Sequence, residues 1–212
     1  MAGKSKGQRT EDALLQAARE VFARNGYFNA KIADIARAAG RSPGSFYNYY
    51  ENKEQLLDAL LEQFGGEVTH AALSARSDDP YESVRGAVTA YWTAFRQHVP
   101  EMIGLFQLSM TDESYAARWR AVRGIGVRGV IGQLEAARDA GHLEDVDIPT
   151  MASAIVSMLE SFSWTWLAGK GDKGVEPPDD DTAIDTLTAM WFGAVYGPAA
   201  ARRGRTARSG AS

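Results

Sequence analysis

Residues 31–53, KIADIARAAGRSPGSFYNYYENK, constrain the fold more tightly than any other stretch of this 212-residue chain. Ile32, Ile35, Ala36 and Ala39 recur at i, i+3, i+4 and i+7, which makes one apolar face of a short helix that has to pack on something. Gly40 follows that face. Glycine after the last turn accepts left-handed backbone without a Cβ clash, so the chain can reverse sharply there. Ser42 and Pro43 then restart a helix: the hydroxyl accepts from an orphan amide, and proline at the first helical position has no amide to leave unsatisfied. The pattern predicts a second helix of about two turns, from Pro43 to about Tyr50.

Helix, glycine turn and capped helix form the helix-turn-helix arrangement, whose second helix is shaped to enter the major groove of DNA. A small Ala36 lets the two helices cross closely, and Phe46 is the apolar anchor for the second. Ser42, Gly44, Ser45, Tyr47, Asn48 and Tyr49 are left to face outward. Hydroxyl, amide and phenol groups reach phosphates and base edges, and glycine lets the backbone come close. An ordinary αα-corner also needs a glycine and a capping serine. Polar and aromatic crowding on so short a helix favours the DNA reading.

Residues 10–57 resemble the N-terminal DNA-binding domain of the TetR family of bacterial transcriptional regulators. The resemblance rests on an apolar first helix, LLQAAREVFARNGYFNA, then IADIARAAG, then SPGSFYNYYENKEQLL with its Gly-x-hydrophobic-Tyr-x-x-aromatic run and closing Lys-Glu-x-Leu-Leu. It implies an all-α homodimer with a three-helix head on each chain and a larger helical body that binds an effector and dimerises. It places Ser42, Pro43, Gly44, Ser45, Tyr47, Asn48 and Tyr49 against operator DNA, and Lys53 at a helix start where an amine meets a phosphate. The sequence departs from the family at three places. Ala30 and Lys31 replace the usual capping Thr or Ser, so either Asn29 caps one residue early or the cap is weak, and Lys31 becomes a phosphate contact. Tyr50 replaces a common buried Phe, so its hydroxyl needs a partner. Asn48 and Tyr49 stand where the family often has His or other polar groups.

Charge is distributed to match. Lys plus Arg against Asp plus Glu gives 8 against 4 for residues 1–50, 11 against 23 for 51–200, and 4 against 0 for 201–212. A basic head and tail on an acidic body orient an approach to DNA despite the net charge of -4. The absence of cysteine excludes disulfides and thiolate chemistry and is compatible with a cytoplasmic protein. No signal peptide or membrane span is visible in the sequence. The expected division is a flexible arm over 1–9, the helix-turn-helix head over 10–52, an effector-binding and dimerisation domain over 53–197, and a disordered basic tail over 198–212.

Helix punctuation recurs through the body. Asn52, Asp79 with Pro80, Pro100, Asp112, Asp147, and Asp181 or Thr182 open successive helices, and Gly141 and Pro198 close two of them. With no alternating run bounded by hairpin turns, the chain reads as all-α with about nine helices. Two broad apolar stripes, Met151, Ile155 and Leu159 on one helix and Ile184, Leu187, Trp191 and Val195 on another, suggest a four-helix dimer interface, although such stripes are usually core. Trp92, Phe95, Phe106, Trp119, Met158, Phe162 and Trp166 could line a pocket for a flat or greasy ligand, or could be ordinary core. Glu160, set among apolar neighbours, is exposed at an interface, hydrogen-bonded inside, or placed for a polar ligand group. Gly124, Gly126, Gly129 and Gly132 are unusual in a long helix and suggest a close crossing or a kink.

Other motifs carry little. GIGVRG and GKGDKG match a dinucleotide fingerprint, but neither follows an expected strand. His70, His98 and His142 lack the spacing of metal ligands, and no catalytic constellation or cofactor is implied. Two alternatives to an effector-controlled repressor stay open: a DNA-binding activator or organiser without effector control, and a small helical enzyme with a merely structural head.

Overall fold

The structure, a computed structural model, describes residues 5–143 and 145–197. Among the described residues the elements are α1 (Lys6–Asn29), α2 (Ile32–Ala38), α3 (Pro43–Phe46), α4 (Lys53–Ser74), α5 (Pro80–Gln97), α6 (Val99–Ser109), α7 (Glu113–Asp139), α8 (Ile148–Ser163) and α9 (Asp180–Tyr196), with no strand. A π-helical turn, Trp164–Ala168, extends α8.

Caps set the helix starts. Asn52 accepts from the Gln55 amide at 2.8 Å, Asp79 from Tyr81 at 2.8 Å, Asp112 from Ser114 at 2.8 Å and Asp147 from Thr150 at 2.9 Å. Two starts differ from expectation. Helix α9 is capped by Asp179, which accepts from Thr182, and not by Asp181 or Thr182. Helix α1 begins at Lys6, inside the expected arm, because Ser5 and Gln8 form a reciprocal capping box. The expected stop at Pro198 and the basic tail lie outside the described residues.

The chain divides into two compact units. One holds the described residues up to Gly65 together with Gln97–Arg120; the other holds Gly66–Arg96 and the described residues from Ala121 onward. The first unit thus holds the residues expected for the head together with α6 and the first turns of α7.

In the first unit α1 packs on both α2 and α6, and α2 packs on α3. Leu14, Ala18, Ile35, Phe46, Leu57 and Leu60 are fully buried there. A Cβ on Gly104 of α6 would stand 3.0 Å from the Tyr27 Cβ, so glycine is what allows this close approach. A buried polar network closes the unit. Arg19 donates from Nε to Glu101 Oε1 at 2.7 Å and from Nη2 to Gln63 at 2.8 Å, and His98 Nδ1 lies 3.3 Å from the same Glu101 oxygen.

The core of the second unit is built from α5, α7, α8 and α9, with Val88, Trp92, Leu134, Ala152, Leu187 and Trp191 buried. Trp92 donates its indole N–H to Asp180 at 2.9 Å, and Arg96 pairs with the same carboxylate, so the start of α9 is tied to α5. The two apolar stripes expected at a dimer interface belong to this core. Ile155, Leu159, Ile184, Leu187, Trp191 and Val195 are at most 6% exposed within the single chain, and Met151 packs against them. A side chain whose surface is already covered by its own fold has none left to bury against a partner.

Candidate functional site

The short second helix of the head is held by local devices on both sides. Ahead of it, Gly40 at φ +66° ends α2 with a Schellman pair of hydrogen bonds: the Arg41 amide reaches Ala36 O at 2.8 Å and the Gly40 amide reaches Arg37 O at 3.0 Å. The Arg41 guanidinium then donates to Thr10 Oγ1 at 3.2 Å, tying the turn to α1. Ser42 caps α3 by accepting from the Ser45 amide at 3.3 Å, with Pro43 next. Phe46 is the one buried residue of α3. Helix α3 stops there and not at Tyr50: the Tyr49 and Tyr50 amides both return to Phe46 O, at 2.9 and 3.0 Å. The chain has to leave helical geometry before Asn52 can cap α4, and this shortens the element. Tyr47, Asn48 and Tyr49 consequently stand on the turn that follows α3.

Lys31, Ser42, Pro43, Gly44, Tyr47 and Asn48 are exposed, Tyr47 by 58%, while Ser45 and Tyr49 are half-buried. Lys31 occupies the N-cap of α2 without a side-chain cap, and Asn29 instead donates to Asn25 O, so the weak-cap alternative is the one realised. Tyr50 is buried and its hydroxyl donates to Glu11 at 3.4 Å. Lys53 departs from the phosphate role the family resemblance implies. Its ammonium donates to the carbonyls of Tyr27, Phe28 and Ala30 at 2.6, 3.3 and 3.1 Å and sits over the Tyr27 ring. An ammonium has three N–H donors, and these carbonyls use all of them.

The second unit contains a half-open cavity of about 330 Å³, lined from α4, α5, α7, α8 and α9. Its walls are mostly small or aliphatic: Ala72, Ala87, Gly126, Gly129, Val130 and Val156, with Tyr91, Leu159 and Trp191 as the bulkier members. None of the aromatics expected to form a pocket lines it. Trp92 and Phe95 are buried in the core; Met158, Phe162 and Trp166 pack against that core. Phe106 and Trp119 belong to the first unit, where they meet edge to face with ring centroids 5.9 Å apart. The α7 glycines neither kink the helix nor permit a close crossing. Helix α7 runs unbroken, a Cβ on Gly129 or Gly132 would meet nothing within 4 Å, and Gly126 makes only an ordinary contact with Val156. These glycines leave open space.

Glu160 does not line the cavity; it is hydrogen-bonded inside. It accepts from Arg123 at 3.3 Å, and Arg123 also reaches Ser157 at 2.7 Å and Ser153 O at 3.0 Å. Burial pushes the Glu160 carboxyl up from the ordinary carboxylate range, and the attraction of Arg123 opposes this, leaving it at about 7. Because the folded value is raised, the native state holds a proton that the unfolded chain releases, so stability falls as pH climbs from about 4.5 to about 7. Glu160→Gln is therefore expected to be more stable relative to the native sequence at pH 8 than at pH 5. Thermal melts of both proteins across that range check this.

Among the described residues no group of His, Cys, Asp and Glu could hold a metal ion, and no helix is long and apolar enough to cross a membrane.

With an exposed, capped second helix behind a Schellman turn, the head defines a helix-turn-helix DNA-binding protein. Residues 14–60 match the family model described as bacterial regulatory proteins, tetR family. The HTH-type transcriptional repressor NicS of Pseudomonas putida is 27% identical over 163 residues, covering 74% of this chain and 76% of its own. The HTH-type transcriptional regulator EthR of Mycolicibacterium smegmatis is 23% identical over 202 residues, covering 92% and 90%. A crystal structure of a bacterial regulatory protein in the tetR family from Rhodococcus RHA1 superposes with a TM-score of 0.71 at 25% identity, covering 91% of this chain and 98% of that one. Residues 14–60 give this chain the DNA-binding domain of the TetR family of bacterial transcriptional regulators. The chain is a DNA-binding regulator, and the relatives it matches are named as transcriptional regulators.

Proposed function

We propose that the protein is a ligand-responsive repressor that binds a palindromic operator as a homodimer in the cytoplasm and leaves it when a small apolar effector enters the second unit. The cavity of about 330 Å³ carries this reading, since its size and apolar walls fall within the range of small-molecule sites. Ser42, Pro43, Gly44, Ser45, Tyr47, Asn48 and Tyr49 would meet the major groove, and Lys31 a phosphate. The resemblance of NicS, a repressor by name, supports the sign of regulation.

The dimer would form on the outward faces of α8 and α9, in place of their buried stripes. Ala154, Ser157 and Ser161 on α8 and Ala189, Met190 and Gly193 on α9 are exposed at helical spacing, with Met190 at 55%. Small residues around a protruding Met suit close packing of two copies related by a two-fold axis. Met190→Arg is expected to give a folded monomer by light scattering and, through loss of paired binding, to weaken operator affinity at least about tenfold. A variant that stayed dimeric would place the interface elsewhere.

A further inference from the structure

The chemistry around the cavity narrows the class of ligand, given the proposal above that this cavity is the effector site. Its lining residues are apolar except for Thr69, Tyr91, Gln133, Arg76 and Arg128, and no Asp or Glu is among them. Neither arginine side chain has an ion-pair partner among the described residues. Arg128 folds back along α7 so that its Nη1 stands 3.3 Å from where a Cβ on Gly124 would be; that glycine makes room for the guanidinium. Two exposed large apolar side chains, Leu73 at 57% and Ile125 at 38%, also line the cavity, so apolar surface and positive charge occur together.

Arg76 and Gln133 also line an adjoining open cleft of about 640 Å³, together with Ser77, Asp78 and Ser83. The apolar chamber thus opens onto a polar region at Arg76. The Asp78 carboxylate in that cleft disfavours an extended polyanionic head group, whereas a single compact negative charge can be balanced by the arginines.

We propose that the ligand of this cavity is an apolar monocarboxylate, its hydrocarbon part in the chamber and its charge balanced by Arg76 and Arg128. Guanidinium groups are matched in geometry to carboxylates, and a charge-assisted pair at the edge of an apolar cavity is stronger than the same pair in open water.

The test is calorimetric titration of the full chain with decanoate, decanol and decyltrimethylammonium, each below its micellar concentration. Decanoate is expected to bind at least about tenfold more tightly than decanol, with no binding of the cation. The double variant Arg76→Gln, Arg128→Gln should abolish that preference while leaving decanol affinity unchanged, and Gly129→Leu, which fills the chamber, should remove binding of both. If decanol binds as well as decanoate, or the double variant keeps the preference, the carboxylate assignment is overturned while the cavity stands as an apolar site. If Gly129→Leu leaves binding of both probes intact, or the unaltered chain binds neither, the assignment is overturned; intact binding in Gly129→Leu removes the cavity as the effector site as well.

Discussion

Replacement of Phe46 by alanine is expected to cost about 3–5 kcal/mol and to abolish DNA binding. Phe46 is fully buried, with its ring centroid 5.7 Å from that of Tyr50. Helix α3 is four residues long and has no other buried side chain. One phenyl ring therefore fixes the angle at which Ser42, Tyr47 and Asn48 are presented. In a longer helix neighbouring contacts would share the loss; here the presenting element detaches. Urea titration followed by circular dichroism checks the stability term. Phe46→Leu, which keeps most of the buried volume, should retain most of the stability and a measurable fraction of the DNA affinity.

Arg19→Met is expected to have a comparable effect for an electrostatic reason. Glu101 is fully buried, and its Oε1 is met by Arg19 at 2.7 Å and by His98 at 3.3 Å. Its second oxygen, Oε2, has no hydrogen-bond partner among the described residues. Removing the guanidinium strands a charge away from water, which costs about 3–5 kcal/mol, whereas removing both charges at once costs much less. A double-mutant cycle with Glu101→Gln should therefore show strong coupling, with the double variant more stable than Arg19→Met alone. Additive losses would mean that the pair contributes little.

The helical framework was legible because its signals are local. Asn52, Asp79, Asp112 and Asp147 each cap the helix they were expected to cap, a matter of one side chain reaching an amide two or three residues ahead. The run Asp179-Asp180-Asp181-Thr182 offers several such oxygens, and only backbone geometry selects Asp179. Tertiary facts were less accessible. The apolar stripes of α8 and α9 look the same whether they face a core or a partner, and here they face the core. Lys53 carries the charge a phosphate needs, but the carbonyls at the end of α1 reach it first.

The cavity shows the clearest physical reason for a miss. Large aromatics such as Trp92 and Phe95 suggest a binding site by chemistry, yet their volume fills space and they end up in the core. An open chamber forms where side chains are small. Gly126 and Gly129 on α7, with Ala72 on α4 and Ala87 on α5, were the informative residues. Their cost to helix propensity, up to about 1 kcal/mol for each glycine, was the available signal, and it marks missing volume and not bending. Tyr91 carried no such signal: only the fold places it at the cavity.

The exposed face around α3 is expected to read DNA. Fluorescence anisotropy with a labelled duplex from upstream of the protein's own coding region, titrated at several salt concentrations, tests it most directly. Log affinity is expected to fall linearly with log salt concentration. Tyr47→Ala, a substitution at an exposed position, should leave the melting temperature unchanged and weaken binding by about 1–3 kcal/mol, roughly 5- to 150-fold. Binding indifferent to salt, or a Tyr47→Ala protein that binds as tightly as the unaltered chain, would contradict it.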